Sequence, residues 1–348
     1  MDTSRLAVLG AGSWGTVFAA LLAGHLPSRV RLWARDPALA ERMAAEGRNP
    51  RYLPHFELPG RLKVTASLDE ALEGAGLVVL AVPARWARQV LRAAQGWVGP
   101  DAVVVSLAKG IEPGSWLRVS QVVAEVLPGR AQAVLTGPNF AAEVAMGLPA
   151  ASVVACSDLA LAGRLQRLFA FPRLRVYTHH DVVGCELAGA LKNVLALAAG
   201  MADGLQAGDN ARAALVTRGL AELSRLGVAM GGHPLTFTGL AGLGDLVLTC
   251  TSERSRNRYV GLMLGGGKGL REILAGMHQV AEGVTTAPGA VALARRHHVE
   301  LPICEQVAAV LEGRTSARGA VEALLGRQPT QELAGSPPWP VPSASLQP

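Results

Sequence analysis

The first half of the chain alternates short, β-branched apolar runs with longer stretches of helical periodicity. Arg5–Leu9, Arg29–Trp33, Leu62–Thr65, Leu77–Val82, Ala102–Leu107, Ala133–Thr136 and Ser152–Ala155 read as strands. Trp14–Gly24 reads as a helix, and helical segments separate most of the other runs. This alternation predicts a mostly parallel sheet covered on both faces by helices. After about Tyr177 the strand signals stop, and Val182–Ala202, Ala211–Leu226, Val260–Leu264, Leu270–Leu274, Ala287–His297 and Ile303–Leu311 read as helices separated by Gly and Pro turns. The pattern divides the chain into an α/β domain over 1–180, an all-helical domain over 181–328, and a Pro-, Ser- and Gln-rich tail over 329–348 expected to be disordered.

Composition narrows the function. The 348 residues are 50% hydrophobic and 17% charged, which supports buried cores and excludes a largely disordered protein. The formal charge of +6 is scattered, with no basic run beyond Arg295-Arg296, and aromatics are only 4% of the chain. Nucleic-acid binding is therefore not expected, whereas an enzyme acting on phosphorylated anions suits the balance. Cys156, Cys185, Cys250 and Cys304 lie far apart, which predicts reduced thiols in a cytoplasmic protein and no metal site. The start of the chain reads as a strand and not as a signal peptide. The apolar stretch Val182–Met201 contains Glu186, Lys192 and Asn193, so it is expected to be a buried helix with no membrane insertion. Of 33 basic residues only Lys63, Lys109, Lys192 and Lys268 are lysines, a mild enrichment for sites that need a compact ammonium of tunable pKa.

The strand Arg5–Leu9 runs directly into Gly10-Ala11-Gly12-Ser13-Trp14-Gly15, a GxGxxG sequence between a strand and a helix. Gly10 allows the tight turn, Gly12 lets the backbone approach a pyrophosphate, Gly15 lets the helix pack on the sheet, and the helix N-terminus offers N–H groups to the anion. The expected fold is α/β: a Rossmann-like, doubly wound, mostly parallel sheet followed by a second, all-helical domain. At the end of the second strand, Arg35 suits a 2′-phosphate and favours NADP(H), while Asp36 reads either as a ribose ligand or, with Pro37, as a helix start. Lys109 follows a strand and points toward the crevice where such sheets bind ligands. Thr136–Ala141 makes a tight turn at the same edge.

The strongest signal lies in Gly184–Val194. Glu186 and Asn193, seven apart, share a helix face with Gly189, and Lys192 sits beside Asn193. A charged pair and an amide among Ala, Leu and Val need partners or a function, the plain structural reading being a Glu–Lys pair. Gly239, Gly242 and Gly244 form a close-fitting turn before Asp245, which is placed to orient Lys192. Arg256 and Asn257, after Ser255, offer a planar cation and adjacent amide donors for a phosphate. Val280–Val284 reads as a short polar-centred turn.

Together, GAGSWG (10–15), NPRYLP (49–54), KGIE (109–112), ELAGALKN (186–193), GDN (208–210), GLAGLGDLVLTCTS (239–252), SRN (255–257) and VAEGV (280–284) resemble the bacterial NAD(P)-dependent glycerol-3-phosphate dehydrogenases, over about residues 5 to 325. The resemblance implies interconversion of dihydroxyacetone phosphate and sn-glycerol 3-phosphate by hydride transfer, supplying the glycerol backbone of phospholipids. It implies that Gly10, Gly12, Ser13, Trp14, Gly15, Arg35, Lys109 and Ala141 contact the dinucleotide, NADP(H) or NAD(H), and that Arg256, Val280 and Glu282 complete its nicotinamide site. Lys109, Gly137, Asn139, Lys192, Asp245, Ser255, Arg256 and Asn257 would surround the substrate, with Lys192 as proton donor or acceptor. Two departures stand out: Asn139 occupies a position where the family usually has a hydroxyl residue, and Cys185 one where a small apolar residue is commoner. Competing expectations are another two-domain dehydrogenase of a small phosphorylated or acidic substrate, or a dinucleotide-sensing protein without catalysis. An apolar helical surface would suit a homodimer.

Overall fold

The structure, a computed structural model, describes residues 2–277, 280–329 and 332. Most of the segment expected to be a disordered tail therefore lies outside the described residues. The first domain contains β1 (Arg5–Leu9), α1 (Ser13–His25), β2 (Arg29–Trp33), α2 (Pro37–Glu46), β3 (Arg48–Asn49), β4 (Leu53–Glu57), β5 (Lys63–Thr65), α3 (Leu68–Leu72) and β6 (Leu77–Leu80). It continues through α4 (Ala84–Ala94), β7 (Val103–Ser106), α5 (Val119–Val126), β8 (Gln132–Thr136), α6 (Ala141–Ala145), β9 (Ala150–Ala155), α7 (Leu159–Phe169) and β10 (Leu174–His179).

Eight strands form one sheet in the order β5-β2-β1-β6-β7-β8-β9-β10, parallel throughout except between β8 and β9. The central strands β6 (LVVL) and β7 (VVVS) are buried along their whole length, as a sheet covered on both faces requires. One apolar core fills the face under α1 and α7, and a second fills the face under α4 and α5. From β1 the chain winds outward through β2 to β5, then returns to β6 on the other side of β1. The carboxyl ends of β1 and β6 thus flank the topological switch point, where sheets of this kind bind ligands.

Two features differ from the sequence expectation. Leu174–His179 is a strand, with Leu174 and Val176 buried and Arg175 and Tyr177 outward. Its charged outer face and edge position hid it. The Asn49–Pro54 segment makes a small antiparallel hairpin of β3 and β4. Asn49, completely buried, donates from Nδ2 to the Ala11 carbonyl and to Thr16 Oγ1, each at 2.9 Å, and so braces the glycine turn from behind.

The second domain holds α8 (Val182–Gly204), α9 (Gly208–Ala229), α10 (Pro234–Thr238), a π-helical turn at Leu240–Gly244, α11 (Asp245–Thr251), α12 (Arg256–Gly265), α13 (Leu270–Ala275), α14 (Glu282–Arg296), α15 (Pro302–Leu311) and α16 (Ala317–Leu325). Both α12 and α14 begin several residues earlier than their apolar periodicity suggested, because their first turns are polar and face the site. The Val280–Val284 segment is therefore the start of a helix, not a free turn. Helix α8 is the axis of this domain and is buried along most of its length. Among the described residues it is the unbroken helix long and apolar enough to cross a membrane, and 89% of its apolar window is covered by protein. Glycines let α12 cross α8 at backbone contact: a Cβ at Gly200 would strike the Arg258 carbonyl, and one at Gly261 the Leu197 carbonyl. That crossing, with the Arg258–Asp203 ion pair at 2.7 Å, fixes the N-terminus of α12 beside Lys192.

Candidate active site

A cleft of about 680 Å³ runs from the glycine turn after β1 to the N-terminus of α12, between the two domains. Of the residues singled out in the sequence, Gly10, Gly12, Ser13, Trp14, Gly15, Arg35, Lys109, Asn139, Ala141, Lys192, Asp245, Ser255, Arg256, Asn257, Val280 and Glu282 all line it. Gly137 stands just behind, its carbonyl accepting from Lys109 Nζ at 2.7 Å.

The glycine turn has the shape a dinucleotide phosphate needs. Gly10 has φ +118°, and a Cβ there would lie 2.7 Å from the Ala81 carbonyl, so the turn excludes other residues. Gly12 faces open space in the cleft. No side chain caps the first turn of α1, so its N–H groups are free for an anion. Along the same cleft, Trp14 Nε1 and Glu282 Oε2 are buried without a hydrogen-bond partner among the described residues. Burial pushes the Glu282 carboxyl up to about 7. These orphaned polar atoms and the open cradle at Gly12 fit a bound dinucleotide. Arg35 lies over the Trp86 ring at 5.7 Å, and Arg85 lies over the same ring at 5.2 Å. Asp36, by contrast, caps α2 by accepting from Ala38 and Leu39 N–H, and pairs with Arg51 at 2.9 Å. The helix-start reading of Asp36 is the one realised.

At the inner end of the cleft one carboxylate serves two ammoniums. Asp245, 1% exposed, takes Lys192 Nζ on Oδ1 at 2.5 Å and Lys109 Nζ on Oδ2 at 2.8 Å. Although burial would raise the Asp245 carboxyl, the two cations hold it below its ordinary value. An ammonium has three protons to donate. Lys109 commits all three, to Asp245, the Gly137 carbonyl and Asn139 Oδ1. Lys192 commits two, to Asp245 and to Thr249 Oγ1 at 2.7 Å, and keeps one for the cleft. Burial depresses the Lys192 pKa to about 8; Asp245 pulls it up and Lys109 pushes it further down.

The amides singled out in the sequence line the cleft and also brace it. Asn139 bridges the two sides of the turn, accepting from Lys109 Nζ on Oδ1 and donating one Nδ2 hydrogen to Ser152 Oγ, each at 2.9 Å. Asn257 donates to Asn193 Oδ1 at 2.8 Å and accepts from Gly283 N–H at 2.9 Å. The second Nδ2 hydrogen of Asn257 stays uncommitted among the described residues, and Asn257 lines the cleft beside Arg256. Asn193 in turn donates to the Lys109 carbonyl at 2.8 Å, linking α8, α12, α14 and the loop after β7. Ser255 caps α12 by accepting from Arg258 N–H. Arg256, at the first position of α12, faces the cleft with no carboxylate partner among the described residues. Glu186 does not pair with Lys192 but with Arg118 of the first domain, at 2.6 Å. Thr249 was missed as a site residue; its position four residues after Asp245, one helical turn on, was the available signal.

Among the described residues no group of three or more His, Cys, Asp or Glu is placed to hold a metal ion. The four cysteines are free and buried.

A doubly wound sheet with a dinucleotide cradle at its switch point, facing a helical domain that offers a buried lysine, defines a two-domain NAD(P)-dependent dehydrogenase. Comparison with known proteins gives the family. Residues 5–162 match the N-terminal model, and residues 181–322 the C-terminal model, of NAD-dependent glycerol-3-phosphate dehydrogenase. The chain belongs to that family. It is 50% identical over 330 residues to a glycerol-3-phosphate dehydrogenase (NAD(P)+) of Nitratidesulfovibrio vulgaris, covering 94% of this chain and 100% of that one. It is 51% identical to the protein of the same name from Nocardia farcinica, covering 93% and 98%. A crystal structure of the Coxiella burnetii glycerol-3-phosphate dehydrogenase superposes with a TM-score of 0.89 at 41% identity, over 93% of this chain and 99% of that one. A ketopantoate reductase from Ralstonia eutropha, at 15% identity and TM-score 0.58, shares the fold alone.

Proposed function

We propose that this protein reduces dihydroxyacetone phosphate to sn-glycerol 3-phosphate, reversibly, in the cytoplasm, and so feeds glycerophospholipid synthesis. The observation that carries the reading is the unequal pair of lysines: Lys109 is saturated, while Lys192 keeps one ammonium proton facing the cleft. When bound, the reduced dinucleotide supplies the hydride that C2 of the ketone accepts. Ser13, Trp14 and the N-terminus of α1 would hold its phosphates, Arg35 its adenosine end, and Arg256, Val280 and Glu282 its nicotinamide end, with Lys109 and Ala141 also in contact. Arg256 and Asn257 hold the substrate phosphate, helped by the free N–H groups at the start of α12. Lys192 hydrogen-bonds the ketone oxygen, stabilises the developing alkoxide and gives it the proton. In the reverse direction neutral Lys192 takes the alcohol proton, which its depressed pKa allows near pH 8. Lys109 and Asp245 keep Lys192 aimed, and Asn139, Gly137 and Asn257 support the cations and helix ends around it.

The test is NADPH or NADH oxidation followed by absorbance with dihydroxyacetone phosphate. Oxidation dependent on the phosphorylated ketone is expected, faster with NADPH if Arg35 takes the 2′-phosphate. Cofactor binding without oxidation would leave a different dehydrogenase or a sensor. A homodimer belongs to this reading, supported by exposed apolar side chains on the helical domain such as Leu235 and Leu325; sedimentation equilibrium checks it.

A further inference from the structure

The chemistry above leaves one buried charged group of α8 unused. Glu186, 6% exposed, reaches out of the helical domain into the first domain. Its Oε1 accepts from the Ser120 backbone N–H at 2.8 Å. Its Oε2 accepts from Ser120 Oγ at 2.5 Å and from Arg118 Nη1 at 2.6 Å. It thereby caps α5 from across the domain boundary, meeting an N–H that no intrahelical carbonyl can reach.

The segment between Lys109 and Ser120 is stiff. Ile111 bridges to Arg118, Glu112 N–H donates to the Leu117 carbonyl at 2.9 Å, and Arg88 grips the Glu112 carboxylate at 2.8 Å. One end of this strip is fastened to α8 by Asn193, which donates to the Lys109 carbonyl. The other end is fastened by Glu186. The two fastenings are seven residues apart on α8, about 10 Å along one face. Between them lies Gly189, where a Cβ would sit 3.6 Å from Lys109 Cγ, so the Lys109 side chain runs flat across the helix to Asp245.

We propose that Glu186 is a positioning residue: by fastening the 109–120 strip to α8 it keeps the Lys109 ammonium on Asp245, beside Lys192. The inference rests on Lys192 being the proton donor. Lys192 faces Asp245 and Cys250 of α11 and Lys109 of the loop after β7; Arg256 of α12 and Glu282 of α14 line the same cleft. Among these, Lys109 is the nearby cation whose place depends on a contact in the other domain. Loosening the strip removes repulsion from Lys192 and leaves Asp245 to pair with Lys192 alone. Both changes favour the protonated lysine.

The experiment compares pH profiles of kcat for ketone reduction in wild type, Glu186→Gln, Ser120→Ala and Glu222→Gln. Glu222 is the control. It too is buried and takes backbone N–H groups at a helix start, Ile303 at 2.7 Å and Cys304 at 3.2 Å, but within the helical domain. Glu186→Gln is expected to move the descending limb upward by about half a pH unit or more. It also lowers kcat at pH 7 several-fold, with a smaller change in the apparent KM for dihydroxyacetone phosphate. Ser120→Ala, which keeps the backbone contact, moves the limb less and in the same direction, and carries the test if Glu186→Gln does not fold. Glu222→Gln lowers the thermal midpoint and leaves the limb in place. A Glu186→Gln profile superimposable on wild type, with only a lower thermal midpoint, overturns the proposal. A wild-type profile with no descending limb overturns instead the assignment of Lys192.

Discussion

Two buried ionic clusters sit on α8, and they are built in opposite ways. Around Glu186 one carboxylate meets one guanidinium, and Ser120 supplies a backbone N–H and a hydroxyl to complete its shell. Around Asp245 one carboxylate is shared between two ammoniums, and one of these retains a proton with no acceptor among the described residues. The first cluster is balanced and gains nothing from a visitor. The second carries an excess positive charge in a buried site, where an alkoxide forming on a substrate would be its natural complement. The difference teaches how one helix both holds a geometry and performs a reaction.

The comparison can be broken most severely at Lys192. Lys192→Ala should lower turnover by about three orders of magnitude or more, because it removes the proton donor and the alkoxide partner together. Cofactor affinity, followed by quenching of protein fluorescence, should hardly change. Asp245→Asn should come next, lowering turnover by about a hundredfold. It leaves two buried ammoniums with no carboxylate, so denaturant unfolding should show a loss of about 3 kcal/mol. Arg256→Ala removes a charge-assisted contact at the rim of the same cluster, and should raise the apparent KM for dihydroxyacetone phosphate about tenfold or more. Its effect on kcat measured at saturation should be the smallest of the three.

The division into an α/β and a helical domain was legible because short β-branched apolar runs alternate with helical stretches in the first half of the chain and then give way to helical periodicity alone. The strand Leu174–His179 was not, since an edge strand with an outward Arg and Tyr lacks the apolar run of its buried neighbours. The glycine turn, Lys109, Lys192, Asp245 and Arg256 were all visible as motif residues. What the chain of letters hides is how many of its protons each ammonium commits, which depends on Gly137, Asn139, Thr249 and Asp245 converging from separate elements. For the same reason the letters do not show that Asn257, read as a phosphate ligand, also ties α12 to α8 and α14 through Asn193 and the Gly283 N–H. For Glu186 the letters offered a partner only within its own helix, as the plain structural reading; its partners, Arg118 and Ser120, are more than 60 residues earlier and across a domain boundary.

The most direct measurement is the pH dependence of kcat in both directions, in the wild type and in Lys192→Ala. With Lys192 as proton donor, ketone reduction should be flat at lower pH and fall as pH rises through about 8, while alcohol oxidation rises through the same range. Both limbs should vanish from the residual activity of Lys192→Ala. Limbs that persist in that variant, or that run in the same direction for both reactions, would contradict the assignment of Lys192 as the group that moves the proton.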